Sequence, residues 1–454
     1  MKMTIVGAGI SGLATAHAIL SRNPLAEVSV FESSERVGGK VWTETNPEGF
    51  ICEAGVNGFL DKIPKTLQLC AEIGLTPVSA NAAAEKRYVF SRQKLHKLPE
   101  TPPEFLTSRL LSLPGRLRVL CEILVGGTNK TDESLAEFAI RRLGREALEK
   151  LIDPMASGVF AGDATKMSLT SCFPRIHEVE EQYGSLIRGL ITLQMKARAT
   201  GKKNIPGPGP GGRLTSFGQG MSTLTDTLAA RLGTRLHKSS PVVSISHGGG
   251  RYTLHLADGR QAETEALVLA IPAYAQSGIL QELDPQLAQL VGAINYPPLA
   301  VVCLGYALPS KPVTLDGFGF LVPSGEQRSI LGTIVDSNVF PGRAPAGHTL
   351  LRTMVGGARN PRLAELPDKS LFDLVRSDLK DITGLTAEPG FGRIFRHEKA
   401  IPQYVVGHAA RLEAIAQALA RHPGLVLTGN ALRGVSLNDC VVNAWKTAED
   451  VASS

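Results

Sequence analysis

The sequence predicts an α/β protein organised around a dinucleotide-binding unit of parallel strands, and three observations predict it. Residues 3–6 (MTIV) read as a short buried strand. They run straight into Gly7-Ala8-Gly9-Ile10-Ser11-Gly12, followed over residues 13–20 by an apolar, alanine-rich stretch that suits a helix. Twenty residues after Gly12, at the end of a second strand-like run (EVSVF, residues 27–31), stands Glu32. Each glycine has a physical role. Gly7 permits the tight turn, Gly9 lets backbone approach a pyrophosphate, and Gly12 lets helix and strand pack closely. The phosphates would sit on free N–H groups at the positive end of the helix dipole. Glu32 has the spacing of the acid that accepts both ribose hydroxyls, and its charge disfavours a 2′-phosphate.

Arg36-Val37-Gly38-Gly39-Lys40 follows directly. A second glycine pair beside a cation at this place is unusual for a nicotinamide enzyme. It resembles the R-x-G-G signature of the flavoprotein superfamily that holds amine oxidases, phytoene desaturases and protoporphyrinogen oxidases. That resemblance implies FAD, with these glycines passing close to its diphosphate.

At 454 residues the chain is long enough for two or three domains. A formal net charge of +6 suits anionic substrates or anionic lipid. No basic run is interleaved with aromatics, so nucleic acid is not expected. Cys52, Cys70, Cys121, Cys172, Cys303 and Cys440 show no CxxC spacing and no histidine at ligand spacing, so no metal is expected either. Scattered thiols suit a reducing, cytoplasmic setting. The N-terminal strand leaves no room for a signal peptide, and no apolar run reaches the ~18 residues that span a bilayer.

Residues 50–58 (FICEAGVNG) carry an E-x-G segment in which Gly55 allows a close backbone approach; a surface turn is the alternative. Residues 88–90 read as a strand and residues 92–94 as a turn. Residues 105–125 place Leu, Val and Ile at helical spacing among Arg109, Arg116 and Arg118, which suits either a membrane surface or a buried helix. A helix over residues 134–152 follows an acidic start, and helical character runs to about residue 199. Residues 201–212, rich in alternating Pro and Gly, read as a flexible linker. Strands are expected over residues 241–245, 252–256 and 266–270, with a hairpin turn at Asp258-Gly259. Further strand-like runs lie within residues 290–405 and suggest a mixed sheet. Residues 424–428 form a last strand leading to Gly429, and Gly434-Val435-Ser436-Leu437-Asn438 opens a final helix whose first N–H groups could face a cofactor. That run misses the hydrolase pattern GxSxG by one residue.

With the N-terminal signature, residues 158–163 (GVFAGD), 317–323 (GFGFLVP), 354–357 (MVGG), 401–404 (IPQY) and 437–440 (LNDC) resemble the oxygen-dependent protoporphyrinogen oxidase family over nearly the whole chain. The resemblance implies an α/β fold with a Rossmann-like FAD-binding domain of p-hydroxybenzoate-hydroxylase type (residues 1–85, 213–285 and 410–454). A mixed-sheet substrate domain (86–104 and 286–409) and an inserted helical, membrane-associating domain (105–200) complete it. It implies six-electron oxidation of protoporphyrinogen IX with oxygen as acceptor, releasing hydrogen peroxide, by a cytoplasmic, peripherally membrane-bound enzyme; a homodimer is among the expected assemblies.

Carried over by motif, Gly7, Gly9, Ile10, Ser11, Gly12, Glu32, Ser33, Arg36, Gly38, Gly39, Lys40, Gly55, Val56, Asn57, Val242, Val243, Gly429, Val435, Ser436, Leu437 and Asn438 would contact FAD. Ser436 stands where the family commonly has glycine, so its hydroxyl would need room beside the ring. Arg87 would pair with a substrate propionate, and Gly319, Leu321 and Met354 would line the macrocycle. Strand core for Leu321 and Met354, and a solvated cation for Arg87, are the alternatives. No catalytic side chain stands out, as fits chemistry carried by a cofactor. Competing functions are coproporphyrinogen III oxidation, a non-catalytic flavin scaffold, and an amine oxidase, whose aromatic cage would have to draw on Tyr404 and Trp445.

Overall fold

In a computed structural model, residues 1–128, 130–199, 211–307 and 315–453 are described. All but two residues of the expected linker lie outside them.

Lys2–Val6, α1 (Ile10–Arg22) and Glu27–Phe31 form the expected strand–helix–strand unit. Lys2–Val6 is the centre of a five-stranded parallel sheet. Glu27–Phe31 and then Leu236–His237 lie to one side, Ala266–Leu269 and Leu425–Leu427 to the other. These strands read as unbroken apolar runs because both sheet faces are covered. Ile5, Val30 and residues 267–269 are fully buried. On one face α1 packs against the last helix, whose Val441, Ala444 and Ala448 meet Leu13, Ala14 and Ala18 in a common core. Val242–Gly248, Arg251–Leu256 and Gln261–Thr264 make a separate antiparallel sheet, with Gly259 at φ +85° turning the expected hairpin.

The larger sheet has seven strands, in the order Phe391–His397, Leu299–Ala307, His348–Gly356, Ile330–Val335, Gly319–Leu321, Arg87–Ser91 and Lys94–Lys97. All its pairings are antiparallel except that of Gly319–Leu321 with Arg87–Ser91. Leu299–Ala307 is buried on both sides, so alternate residues enter different cores. Ala300, Val302, Leu304 and Tyr306 face a helix, Asp368–Thr383, through Leu371, Val375 and Leu379. Val301 and Cys303 face Phe50, Cys52 and Ala54 of the first segment. His397 Nε2 to Ala54 O (2.8 Å), Arg352 to Gly55 O (3.1 Å) and the Arg393–Glu44 ion pair (2.7 Å) tie this face to the dinucleotide unit.

Helices occupy most of the stretch between Lys94–Lys97 and Leu214–Ser216. The apolar run at 105–125 is not one helix. Pro102–Thr107 stops at Ser108, and Leu113–Leu120 starts afresh with Pro114 in its first turn and Ser112 as its cap, Oγ accepting from Gly115 N (3.1 Å). The stretch expected as one helix over residues 134–152 is also broken. Leu135–Arg142 carries a capping box between Ser134 and Glu137, ends before Gly144 (φ +93°), and is followed by Arg145–Ala147 and a π-helical turn, Leu148–Ile152, that leads into α2 (Asp153–Phe160).

Candidate functional site

A cavity of about 560 Å³ opens at the carboxyl ends of the parallel strands. Several stretches distant in sequence build it, residues 270–279 among them. Gly7, Gly9, Ile10 and Ser11 come from the first turn, Gly38, Gly39 and Lys40 from the loop after Glu32 and Ser33, and Gly429, Val435 and Leu437 from the approach to the last helix, α3 (Leu437–Ser453). Val56, Val242 and Val243 also line it.

The glycines of the first turn differ in geometry, and Gly12 stands apart from the FAD contact expected of it. Gly7 takes φ +104°. A Cβ on Gly12 would lie 1.9 Å from the Gly7 carbonyl, so Gly12 lets helix and strand pack and does not face the cavity. A Cβ on Gly9 would meet no atom within 4 Å and would project into open space. Gly9 bridges Gly38, and a Cβ on Gly39 would lie 3.5 Å from Gly9 Cα, so the two glycine pairs face each other as bare backbone. Helix α1 has no side-chain cap and no acid in its first turn, leaving its N–H groups for an anion. Glu32 is pinned: one carboxylate oxygen accepts from Ala8 N (2.8 Å), the other from Ser33 Oγ (3.1 Å) and Ser34 N (3.0 Å).

Lys40 Nζ donates to Lys399 O at 2.5 Å, and burial pushes its ammonium down to about 8. Arg36 is set back from the cavity. It donates to Val37 O and Gly39 O and lies 4.8 Å over the Trp42 ring, bracing the glycine loop. Gly55 is also set back: a Cβ there would stand 2.4 Å from Lys40 O, and its carbonyl accepts from Arg352. Beside it the Asn57 Nδ2 is buried with no partner among the described residues.

Ser436 and Asn438 are placed differently from the expectation. Ser436 caps α3, its Oγ donating to Asp439 Oδ2 (2.6 Å) and accepting from Asp439 N (3.2 Å). Its hydroxyl is thereby used within the chain. Asn438 donates to Leu60 O (2.8 Å) and accepts from Thr66 Oγ1 (2.5 Å), so its carboxamide fastens α3 to the first segment. Neither lines the cavity. Phe31, Tyr274, Asn430 and Cys440 do line it, and sequence reasoning missed them. Of these placements, only the Ser-x-x-Asp capping pattern at 436–439 has a signal in the sequence.

The expected substrate residues share the seven-stranded sheet. Leu321 pairs with Gly332, which pairs with Met354, so the two apolar side chains flank a residue that has none. Gly319, two residues before Leu321, lies on the same face and pairs with Arg87. Its φ of +143°, with Thr333 O only 2.0 Å from where a Cβ would stand, demands glycine. Met354 is half-buried, joining the cluster under Phe50 and Cys52 to one around Ala161 and Leu331. Arg87 is exposed, 5.4 Å from the Phe318 ring centroid. Tyr404 and Trp445 do not form a cage: Tyr404 stacks on His408, and Trp445 lies under Lys65 on the far side of α3. Neither is among the cavity residues.

The cavity defines a dinucleotide-cofactor oxidoreductase, and comparison gives the family: residues 10–452 match it, and the chain belongs to the flavin-containing amine oxidoreductases. Within that family it is 33% identical to a coproporphyrinogen III oxidase of Bacillus subtilis, across 97% of this chain and 95% of that protein. It is equally 33% identical to a chloroplastic protoporphyrinogen oxidase of Oryza sativa, across 99% and 87%. A solved structure from Exiguobacterium sp. 255-15 superposes with TM-score 0.83 at 28% identity, covering 99% of this chain and 98% of that one. Reduced UDP-galactopyranose mutase, at TM-score 0.77 and 16% identity, shares the fold. The cofactor is therefore FAD. The open space at Gly9 and the uncapped end of α1 fit it; Asn57, also expected to touch the cofactor, is not among the cavity residues.

Proposed function

We propose that this chain holds FAD across the cavity and oxidises protoporphyrinogen IX to protoporphyrin IX, with oxygen as acceptor and hydrogen peroxide as by-product. The observation that carries the reading is the meeting of remote backbone stretches, 7–11, 38–40 and 429–437 among them, around one cavity. FAD, when bound, supplies hydride acceptance and the reduction of oxygen. The chain binds and orients. Glu32 would accept the ribose hydroxyls, the α1 N–H groups and the two glycine pairs would hold the diphosphate, and Val242 and Val243 would flank the adenine. Val435 and Leu437 would lie against the flavin. On the substrate side Gly319, Leu321 and Met354 would offer an apolar wall, and Arg87 a planar fork for a propionate; Leu321 packs over Gly332 and against Gly158.

The rest of the expected architecture belongs to the same proposal. A p-hydroxybenzoate-hydroxylase-type division is supported by a parallel sheet drawn from residues 2–31, 236–269 and 425–427, and a mixed sheet drawn from 87–97 and 299–397. The helical stretch is read as an insertion that lies on a membrane. Leu113 (62% exposed), Leu117, Leu120 and Leu124 (79%) stand out there beside Arg109 and Arg116, and no described helix is long and apolar enough to cross a bilayer. A homodimer is retained as a proposal for solution measurement.

Coproporphyrinogen III is a second reading, favoured by the name of the Bacillus subtilis relative. Anaerobic mixing of the purified flavoprotein with each porphyrinogen tests both. Loss of flavin absorbance with a rise of porphyrin fluorescence is expected, faster with the physiological substrate; a flavin that neither compound bleaches would overturn the reading.

A further inference from the structure

The IPQY run at residues 401–404 has no part in the function as described, yet it reaches the cavity from behind. The Tyr404 hydroxyl donates to Asn430 O at 2.5 Å, and its ring stacks on His408 with centroids 4.2 Å apart and planes 13° from parallel. His408 Nε2 lies 3.1 Å from Leu432 O, so that nitrogen carries the proton. Two carbonyls of one turn are thus held by one stacked pair. That turn joins the strand Leu425–Leu427 to α3, and its first members, Gly429 and Asn430, line the cavity. The amides of Gly429, Asn430 and Ala431 have no acceptor among the described residues, although Ala431 is buried. Buried N–H groups are normally paired, so free ones beside a cavity point to a ligand. In a trans peptide the N–H of Ala431 points opposite to the Asn430 carbonyl.

We propose that Tyr404 and His408 are positioning residues for the cofactor: by holding the Asn430 and Leu432 carbonyls they fix the turn that carries the amides of residues 429–431, which donate to an acceptor group of FAD. This rests on the flavin reading above. Burial pushes the Tyr404 phenol far above its usual range and the His408 imidazole below its own, so both stay neutral and both donate. Burial is the largest cause and Arg411 adds to it; the bond to Leu432 O and the charge of Asp132 favour a proton on His408, and the net direction is downward.

The test is FAD titration of the cofactor-stripped full chain, as wild type, Tyr404→Phe and Tyr252→Phe. Tyr252 is the control. Its hydroxyl donates to Pro423 O at 2.9 Å, the same kind of bond at the other end of the same strand, away from the cavity. Tyr404→Phe should weaken FAD binding about 3- to 10-fold, the worth of one hydrogen bond, and shift the visible flavin bands; Tyr252→Phe should change neither. Equal behaviour of Tyr404→Phe and wild type, or equal loss in both variants, overturns the proposal. If Tyr404→Phe does not fold, His408→Ala against His408→Gln decides: glutamine keeps a donor and should restore binding, and no difference between them overturns the proposal. Wild type that takes up no FAD refutes the flavin reading itself, a separate result.

Discussion

Lys40 is the cation that the cavity walls offer to a cofactor, and its charge is fragile. Burial without a carboxylate partner brings its titration down to about 8. An ammonium that helps hold an anionic cofactor should lose that help as pH rises through this value. FAD affinity is expected to fall between pH 7 and 9 in the wild type and to stay flat in Lys40→Met, by titration at each pH. Arg87 differs, being exposed with its guanidinium over Phe318. Arg87→Ala should raise KM several-fold and leave kcat close to wild type, because it removes an anchor that serves substrate and transition state alike; an unchanged KM would make Arg87 a plain surface charge. His397 and His408 are both held below the usual imidazole range, first by burial. A depressed folded value means that the unfolded chain binds the proton more readily. Stability from these residues is therefore present above pH ~6.5 and lost as pH falls through the lower folded values, at up to about 1.4 kcal/mol per pH unit for each. Thermal melts at pH 7.5 and 5.5 should show the drop, and His397→Gln should reduce it.

Among the elements, the helical stretch is held together by buried charge. Arg142 is fully buried and bonds Glu122 (3.2 Å), Val125 O (2.8 Å) and Glu180. Glu122 in turn accepts from Ser185 Oγ (2.7 Å), Leu186 N (2.9 Å) and Ile187 N (3.2 Å), closing the start of the helix Leu186–Ala199. Arg142→Leu would leave buried Glu122 without its cation and Glu180 with Arg141 alone, and should cost about 3–5 kcal/mol, read as a lower denaturation midpoint. The short helix Leu113–Leu120 buries none of its side chains. The full chain is expected to sediment with anionic vesicles at low salt and to be released when Leu117 and Leu124 are changed to Ser; retention of the double variant on vesicles would place the membrane contact elsewhere. This region also shows where local patterning misleads. Ser112-Leu113-Pro114 ends one apolar run and starts another, a cap-and-proline signal written in the sequence but outweighed by the leucine spacing.

At the scale of the molecule, side chains of the mixed sheet tie it to the first segment of the chain. His397 and Arg352 reach from the mixed sheet to the carbonyls of Ala54 and Gly55, and Arg393 to the Glu44 carboxylate, so the E-x-G segment is fastened to that sheet. Glu53 of that segment is buried with Arg343 (3.0 Å), Thr43 Oγ1 (2.7 Å) and Met221 N (2.9 Å), joining parts of the chain more than a hundred residues apart. The glycine turn, Glu32, the second glycine pair and most of the cavity wall are legible in the amino-acid sequence, because each is a short run whose spacing alone defines its geometry. So are the apolar runs of the mixed sheet within Leu299–Ala307 and His348–Gly356. Leu236–His237 is not: two residues carry no pattern, and only the edge of Glu27–Phe31 makes them a strand.

By itself the sequence determined the nucleotide turn and its acid, which depend on neighbours within about twenty positions, and the family to which the chain belongs, through short motifs spread along the chain. Only the tertiary structure decided that Ser436 caps a helix, that Asn438 serves as a fastener, that Tyr404 and His408 stand behind the cavity, and that Leu321 and Met354 flank Gly332. Such roles depend on which distant carbonyl, amide or side chain comes within hydrogen-bonding or packing distance, and chain folding sets that distance.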